Sequence, residues 1–136
     1  MSHIMRGKVA IAFNDEAVLR KALATLGNVL ENQHATIATG TGTFARSPER
    51  YPLVLESSSN KNYRMGFKKE ADGNFHPFFD EWGDLGRWCK EVNAATQDRY
   101  IAYHYEKELT SEGYKVAVHT MNDGSLEVVG MEEATW

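Results

Sequence analysis

Two carboxylates stand beside an indole and a glycine in the segment Asp80-Glu81-Trp82-Gly83. Paired carboxylates can serve acid–base catalysis, because their mutual repulsion raises the pKa of one of them. Adjacent strand residues point to opposite faces, so the two converge only if Glu81 lies beyond the strand. We interpret Asp80, Glu81 and Trp82 as a protein-contact surface with an exposed Trp82 at its centre. The alternative is a fully buried Trp82 that closes the end of the core between hairpin and helix.

Histidines and a single cysteine are the candidates for metal binding. The histidines are His3, His34, His76, His104 and His119, and Cys89 is the one cysteine. No HxxH, HExxH or CxxC spacing occurs, so we predict no zinc and no cofactor. A candidate polar site comprises His3, His104 and Tyr100, with Asp80 able to orient the histidines if the first strand packs beside the long helix. Cys89 lies in a helical pattern beside Trp88 and is predicted to be a buried apolar residue.

A basic segment lies between residues 44 and 69, where six cations oppose Glu49 and Glu56 although the whole chain carries a net charge of −4. The cations are Arg46, Arg50, Lys61, Arg64, Lys68 and Lys69. They could bind nucleic-acid phosphates, or they could be solvated charges that protect a sheet edge. The neighbouring stretch Thr39–Pro48 contains Gly40 and Gly42 but neither GxxxxGK[ST] nor GxGxxG, so it predicts an ordinary loop.

The 136 residues fit one domain spanning 1–136, with 42% hydrophobic and 25% charged residues. The sequence has no apolar run long enough to cross a membrane and no basic start followed by an apolar stretch. We therefore expect a cytoplasmic protein without a secretory leader.

Hydrophobic periodicity predicts strands and helices in alternation. A strand at Lys8–Phe13 precedes a helix capped by Asn14 or Asp15 and ended by Gly27. Strands follow at Asn28–Ala38 and Leu53–Leu55, and then a hairpin at Tyr63–Asp80 with a type I′ turn at Asp72-Gly73. A long helix follows, which Asp84 caps and Gly113 ends, with a kink near Thr96-Gln97. The last element is a hairpin of the strands Lys115–Met121 and Ser125–Met131. This order predicts an α+β two-layer sandwich, ferredoxin-like in plan, with two helices on one face of a mostly antiparallel sheet that includes parallel parts.

Short motifs occur along most of the chain, and they are Met1-Ser2-His3, Ala24-Thr25-Leu26-Gly27, Met65-Gly66-Phe67, Asp72-Gly73, Asp80-Glu81-Trp82-Gly83, Asp98-Arg99-Tyr100, Ala102, His104, Glu112-Gly113-Tyr114 and Asp123-Gly124-Ser125. In type and order they resemble a family of small uncharacterised proteins of plastids and cyanobacteria, known as domain of unknown function 1257. The chain departs from the family at Glu81, where a second tryptophan is more usual, in the longer Arg87–Asp98 segment, and at Thr39–Tyr51. The resemblance implies a fold and a protein partner, an ATPase-type machine, and no established chemistry.

No set of nucleophile, base and oxyanion donor can be assembled from the sequence, so an enzyme is not our preferred interpretation. The leading hypothesis is a small cytoplasmic protein-interaction or adaptor module. The alternatives are a nucleic-acid-binding domain that uses the basic segment and a metal-assisted enzyme that uses His3, Asp80 and His104.

Overall fold

The computed structural model of the chain describes residues 4–7, 9–123 and 125–132. The described elements, in chain order, are β1 (Ile4–Arg6), α1 (Glu16–Ala24), β2 (Asn28–Gly40), β3 (Thr43–Glu56), β4 (Arg64–Lys69), β5 (Phe75–Asp80), α2 (Gly83–Ser111), β6 (Tyr114–Thr120) and β7 (Leu126–Glu132). Residues His3, Lys8 and Gly124, which carry parts of the sequence predictions, lie outside the described residues.

The main sheet has five strands in the order β1-β5-β4-β3-β2, and β6 and β7 pair separately as a two-stranded ribbon. The predicted α+β two-layer class is confirmed. Every described strand pairing is antiparallel, so the expectation of parallel parts is wrong. The strands after α2 also form their own ribbon, where a ferredoxin-like plan would add a strand to the main sheet. Because β2 to β5 are consecutive neighbours, each of them pairs through a hairpin without a crossover.

Both helices pack on the same face of the main sheet. The alternating residues Met65 and Phe67 of β4 are fully buried against them, as the hairpin pattern predicts. Val18, Leu19, Ala22 and Leu23 line the buried side of α1, and α2 contributes Leu85, Cys89, Val92 and Tyr100 to the same core. Tyr100 joins the two helices, since its ring lies 5.0 Å from that of Phe13 and its hydroxyl accepts a hydrogen bond from the Asp15 N–H.

The β2–β3 hairpin bends back over the other face of the sheet. The register shifts between His34 and Thr36, where residues 47 to 49 of β3 bulge. The Ala35 N–H, left without a ladder partner, donates to the Ser47 hydroxyl at 2.8 Å. Beyond the bulge the hairpin reaches β5, because the Ala38 N–H donates to Asp80 Oδ2 at 2.9 Å although β3 and β4 lie between the two strands.

The sequence predictions for two segments near these strands are wrong. The predicted strand Lys8–Phe13 is irregular over the described residues 9–12, and only Phe13 bridges to Phe75, whereas the first strand is Ile4–Arg6. The predicted loop Thr39–Pro48 is instead the end of a long hairpin, with its turn at Thr41-Gly42. Backbone pairing and the Asp80 contact outweigh the low strand preference of Gly40, Gly42 and Pro48.

The helix boundaries confirm some predicted caps and correct others. Asp15 caps α1 by accepting the Val18 N–H, and Gly113, with φ 92°, follows the C-terminus of α2. Gly27 lies past the end of α1 without positive φ, and a Cβ there would approach the Glu56 carbonyl oxygen to 2.4 Å. Asp84 lies inside the first turn of α2 instead of capping it, and the N-cap is Trp82, whose side chain makes no capping bond.

The turn between β4 and β5 requires glycine, although it is not the predicted type I′. The Gly73 N–H donates to the Glu70 carbonyl and the Glu70 N–H donates to the Asn74 carbonyl, which encloses a three-residue loop. Gly73 has φ 82°, whereas Asp72 is outside the positive region. This is a type I turn followed by a left-handed residue, the common three-residue hairpin connection.

Candidate functional site

A cleft of about 240 Å³ opens where the tip of the β2–β3 hairpin meets the start of α2, and we call it the hairpin–helix cleft. Its hairpin wall includes Gly40, Thr41, Gly42 and Phe44, and its helix wall includes Trp82 and Leu85. Tyr63, just before β4, lies between the two walls and contacts Phe44 edge-on, with ring centroids 5.9 Å apart. An aromatic-lined cleft of this size accepts a side chain rather than a whole metabolite.

Trp82 is the most accessible aromatic residue of this cleft. It is 49% exposed, which confirms the predicted partial exposure and contradicts the alternative of full burial. The backbone at Trp82 is fixed, because its N–H donates to Asp80 Oδ1 and its carbonyl accepts the Gly86 N–H. The cleft therefore presents a large apolar surface on a positioned backbone.

Asp80 is a buried structural residue, which corrects its assignment to the contact surface. It is 1% exposed, and its two carboxylate oxygens accept the Ala38 and Trp82 N–H groups. Asp80 thus ties the hairpin tip to the start of α2, and no partner can reach it in this structure. The other carboxylate, Glu81, is exposed and lies beyond the end of β5, so the two carboxylates differ in environment.

Negative charge borders the hairpin–helix cleft. Asp84 lines it directly, and Glu81 immediately precedes Trp82. Their cationic neighbours are exposed and loosely placed, with Lys90 Nζ 3.8 Å from Glu81 and Arg87 Nη1 3.3 Å from Asp84. Exposed pairs of this kind contribute little stability, so both carboxylates can exchange these partners for others.

The six basic residues of the central segment are dispersed. Arg64 pairs with the buried Glu56 at 2.9 Å, and Lys68 pairs with Glu49 at 2.9 Å. Arg64 and Lys69 stand at opposite ends of β4, about 17 Å apart at the usual rise of a strand. Arg46 lies on the outer half of β3, and Arg50 donates to the Asn32 carbonyl. Lys61 lies in the turn before β4.

The candidate polar site is only partly described, since His3 lies outside the described residues. Tyr100 is buried, and its hydroxyl bonds Asn14 Oδ1 and the Asp15 N–H, which gives it a structural role. His104 stacks on Tyr100 and lies 2.9 Å from Glu108 Oε1. Asp80 is near Cys89, and fifteen residues of helix separate Cys89 from His104, about 22 Å, so Asp80 cannot orient that histidine.

Cys89 is fully buried, as the sequence predicts. Burial, and to a lesser degree the Asp80 carboxylate, raise the pKa of its thiol well above the ordinary value, so it stays protonated. Among the described residues, no group of three or more His, Cys, Asp or Glu side chains is arranged to hold a metal ion.

A second cleft, of about 460 Å³, separates the bent-back hairpin from the face of the main sheet opposite the helices, and we call it the sheet cleft. Ile37 and Pro48 form its hairpin side, and Ile4, Arg6 and Phe78 form its sheet side. Tyr51, Lys68 and Glu49 complete the lining. Tyr51 lies flat over Gly66, where a Cβ would come within 2.4 Å of its ring, and stacks on Phe78 with centroids 5.6 Å apart.

Tyr51, Phe44 and Tyr63 line these clefts, although the sequence pattern does not predict this role for them. The sequence pattern of the segment that contains Phe44 predicts a loop. The bend of the hairpin, which forms both clefts, depends on the non-local hydrogen bond between Ala38 and Asp80. The available signal was Pro48, because a proline within a strand is typical of a bulge or an edge strand.

Comparison with protein-family models, curated proteins and solved structures gives no match to this chain. The resemblance to the plastid and cyanobacterial family, and the ATPase partner that it implies, therefore stay predictions.

Across the described part of the chain, no helix combines the length and the apolar character that crossing a membrane requires.

Proposed function

We propose that this protein is an interaction module whose hairpin–helix cleft receives an apolar side chain of a partner protein. The observation that carries the proposal is the half-exposed Trp82 beside an aromatic-lined cleft of side-chain size. Tryptophan contributes a large share of binding energy at interfaces, because it buries a wide apolar face while its N–H still finds a partner.

The charge around the cleft favours one kind of partner segment. Glu81 and Asp84 flank Trp82, and their present cationic neighbours are exposed. A lysine or arginine next to the inserted apolar residue would gain a carboxylate without requiring a buried ion pair to break. The proposed partner therefore offers an apolar residue with a basic residue within a few positions.

The rigidity of the cleft supports the same function. Asp80 fixes both walls through backbone hydrogen bonds, so little ordering is required when the partner binds. Preorganisation of this kind lowers the entropic cost of association.

Selection from a random peptide library tests this proposal and does not require that the partner be identified first. We expect wild-type protein to enrich peptides with an apolar residue near a lysine or arginine, and the Trp82→Ala variant to enrich none of them. Selection with Glu81→Gln/Asp84→Asn protein should keep the apolar preference and lose the basic one. Enrichment of acidic peptides, or equal enrichment by Trp82→Ala, would contradict the proposal.

A further inference from the structure

The sheet cleft lies on the face of the main sheet opposite the two helices and is separate from the hairpin–helix cleft. Its walls are mostly apolar, with Ile4 and Phe78 on the sheet and Ile37 and Pro48 on the hairpin. In the β1–β5 register Arg6 lies directly opposite Phe78, so both side chains share this face. The volume of about 460 Å³ is in the range that holds small organic ligands.

Cationic groups give the cleft a net positive charge. Lys68 Nζ lies 4.7 Å from the centre of the Phe78 ring and 2.9 Å from Glu49 Oε1, so one carboxylate offsets one ammonium. Arg6 is exposed and makes no ion pair with any described side chain. A guanidinium without a carboxylate can bind an anion in a bidentate fashion.

Tyr51 supplies an unused hydrogen-bond donor. The residue is 2% exposed, yet its hydroxyl is not among the fully buried polar atoms without a partner, and no hydrogen bond within the described part of the chain engages it. The hydroxyl therefore keeps accessible surface in the cleft that Tyr51 lines, where a ligand can reach it. Burial, with a smaller contribution from Glu49, raises the pKa of the Tyr51 phenol to about 12, so the group is protonated and able to donate at neutral pH.

We propose that the sheet cleft binds a small, flat organic anion, with its acidic group at Arg6 and the Tyr51 hydroxyl and its apolar part between Phe78 and Ile37. The ligand needs both its acidic group and its apolar part. An inorganic anion leaves the apolar walls hydrated, and a neutral ring leaves the cation and the phenol without a partner.

Phenyl phosphate is a suitable probe, with inorganic phosphate and phenol as its two halves. We expect phenyl phosphate to bind about tenfold more tightly than either half, measured by calorimetry. Amide resonances of Ile4, Ile37 and Phe78 should shift during the titration. Arg6→Gln and Tyr51→Phe should each weaken binding about tenfold, while Lys61→Gln, the same charge change in a turn outside the cleft, should leave it within about twofold.

Equal affinity for phenyl phosphate and inorganic phosphate would overturn the proposal. Equal weakening of phenyl phosphate binding by Arg6→Gln and Lys61→Gln would also overturn it, because it would indicate general electrostatic attraction. The absence of saturable binding at millimolar phenyl phosphate would also overturn it. Trp82→Ala should retain phenyl phosphate binding, so this result is independent of the proposed protein-interaction function. Unchanged melting temperatures of Tyr51→Phe and Arg6→Gln confirm that a loss of binding reports the site itself.

Discussion

At the scale of single residues, Asp80 determines the geometry of the hairpin–helix cleft. The sequence has a carboxylate beside an indole, which suggests that both face a partner. The strand alternation is sufficient to predict that Asp80 and Glu81 point in different directions. Strand alternation cannot predict that the carboxylate of Asp80 accepts hydrogen bonds from the backbone N–H groups of Ala38 and Trp82, because Ala38 belongs to a distant strand.

Asp80→Ala is expected to lower the free energy of unfolding by about 2–3 kcal/mol, because two backbone donors lose their acceptor at a buried position. Urea unfolding followed by circular dichroism measures this loss. Glu81→Ala, an exposed neighbour, should change the free energy by less than about 0.5 kcal/mol. Equal stability of the two variants would show that the Asp80 bonds do not hold the cleft.

Gly73 is the second residue with a sharply defined requirement. Its φ of 82° suits glycine, and no atom lies within 4 Å of a Cβ built there, so a substitution incurs only the conformational cost. Gly73→Val should lower the free energy of unfolding by about 1–2 kcal/mol, and Gly73→Asn by less, since asparagine tolerates this region. The same unfolding measurement checks both variants. An equal loss of unfolding free energy in Gly73→Val and Gly73→Asn would indicate a packing effect instead of a conformational one.

At the scale of elements, the bent β2–β3 hairpin is the feature that sequence analysis missed. The helix α1, the β4–β5 hairpin and the final ribbon carry local periodicity and are predictable from it, whereas the buried side of α2 includes polar Asn93 and Thr96. The outer half of the β2–β3 hairpin contains Gly40, Gly42 and Pro48, which disfavour strands, so its structure depends on Ser47 and on the contact with Asp80. Non-local bonds of this kind leave no periodic signal.

Ser47→Ala is expected to lower the free energy of unfolding by about 1–3 kcal/mol, because the buried Ala35 N–H loses its acceptor at the bulge. Ser58→Ala, in the exposed turn between β3 and β4, is the matched control and should be near neutral. Chemical denaturation of both variants provides the comparison. A neutral Ser47→Ala would mean that water replaces the hydroxyl at the bend.

The contact between α1 and α2 gives a pH-dependent prediction. The Lys107 side chain, which hydrogen-bonds Asp15, lowers the pKa of that carboxyl below its ordinary value of 3.8. A carboxyl whose pKa is lower in the folded state adds stability above its unfolded pKa and loses this contribution as the pH falls through the folded value. Asp15→Asn keeps a capping side chain but cannot ionise.

Wild-type protein should therefore be more stable than Asp15→Asn at pH 7, and the difference should shrink progressively below about pH 4. Thermal melts at several pH values measure this difference. A difference that stays constant down to about pH 2 would exclude the Lys107 contact as its source.

At the scale of the whole molecule, the two faces of the sheet have different roles. One face is covered by two helices and forms the larger core, and the other is covered by the bent hairpin, which creates both clefts. The basic segment does not become one surface, because Arg64 and Lys68 are paired with Glu56 and Glu49. The pairing leaves Arg46, Arg50, Lys61 and Lys69 at separate positions along the segment.

The dissociation constant of an enriched peptide for wild-type and Trp82→Ala protein tests the central claim most directly. Removal of the indole should weaken binding about 30-fold, which corresponds to about 2 kcal/mol, while the melting temperature stays close to that of the wild type. Trp88→Ala should instead lower the melting temperature, because Trp88 packs against the core and its ring centroid lies 5.8 Å from that of Tyr63. Binding by Trp82→Ala within about threefold of wild type would contradict the proposed interaction site.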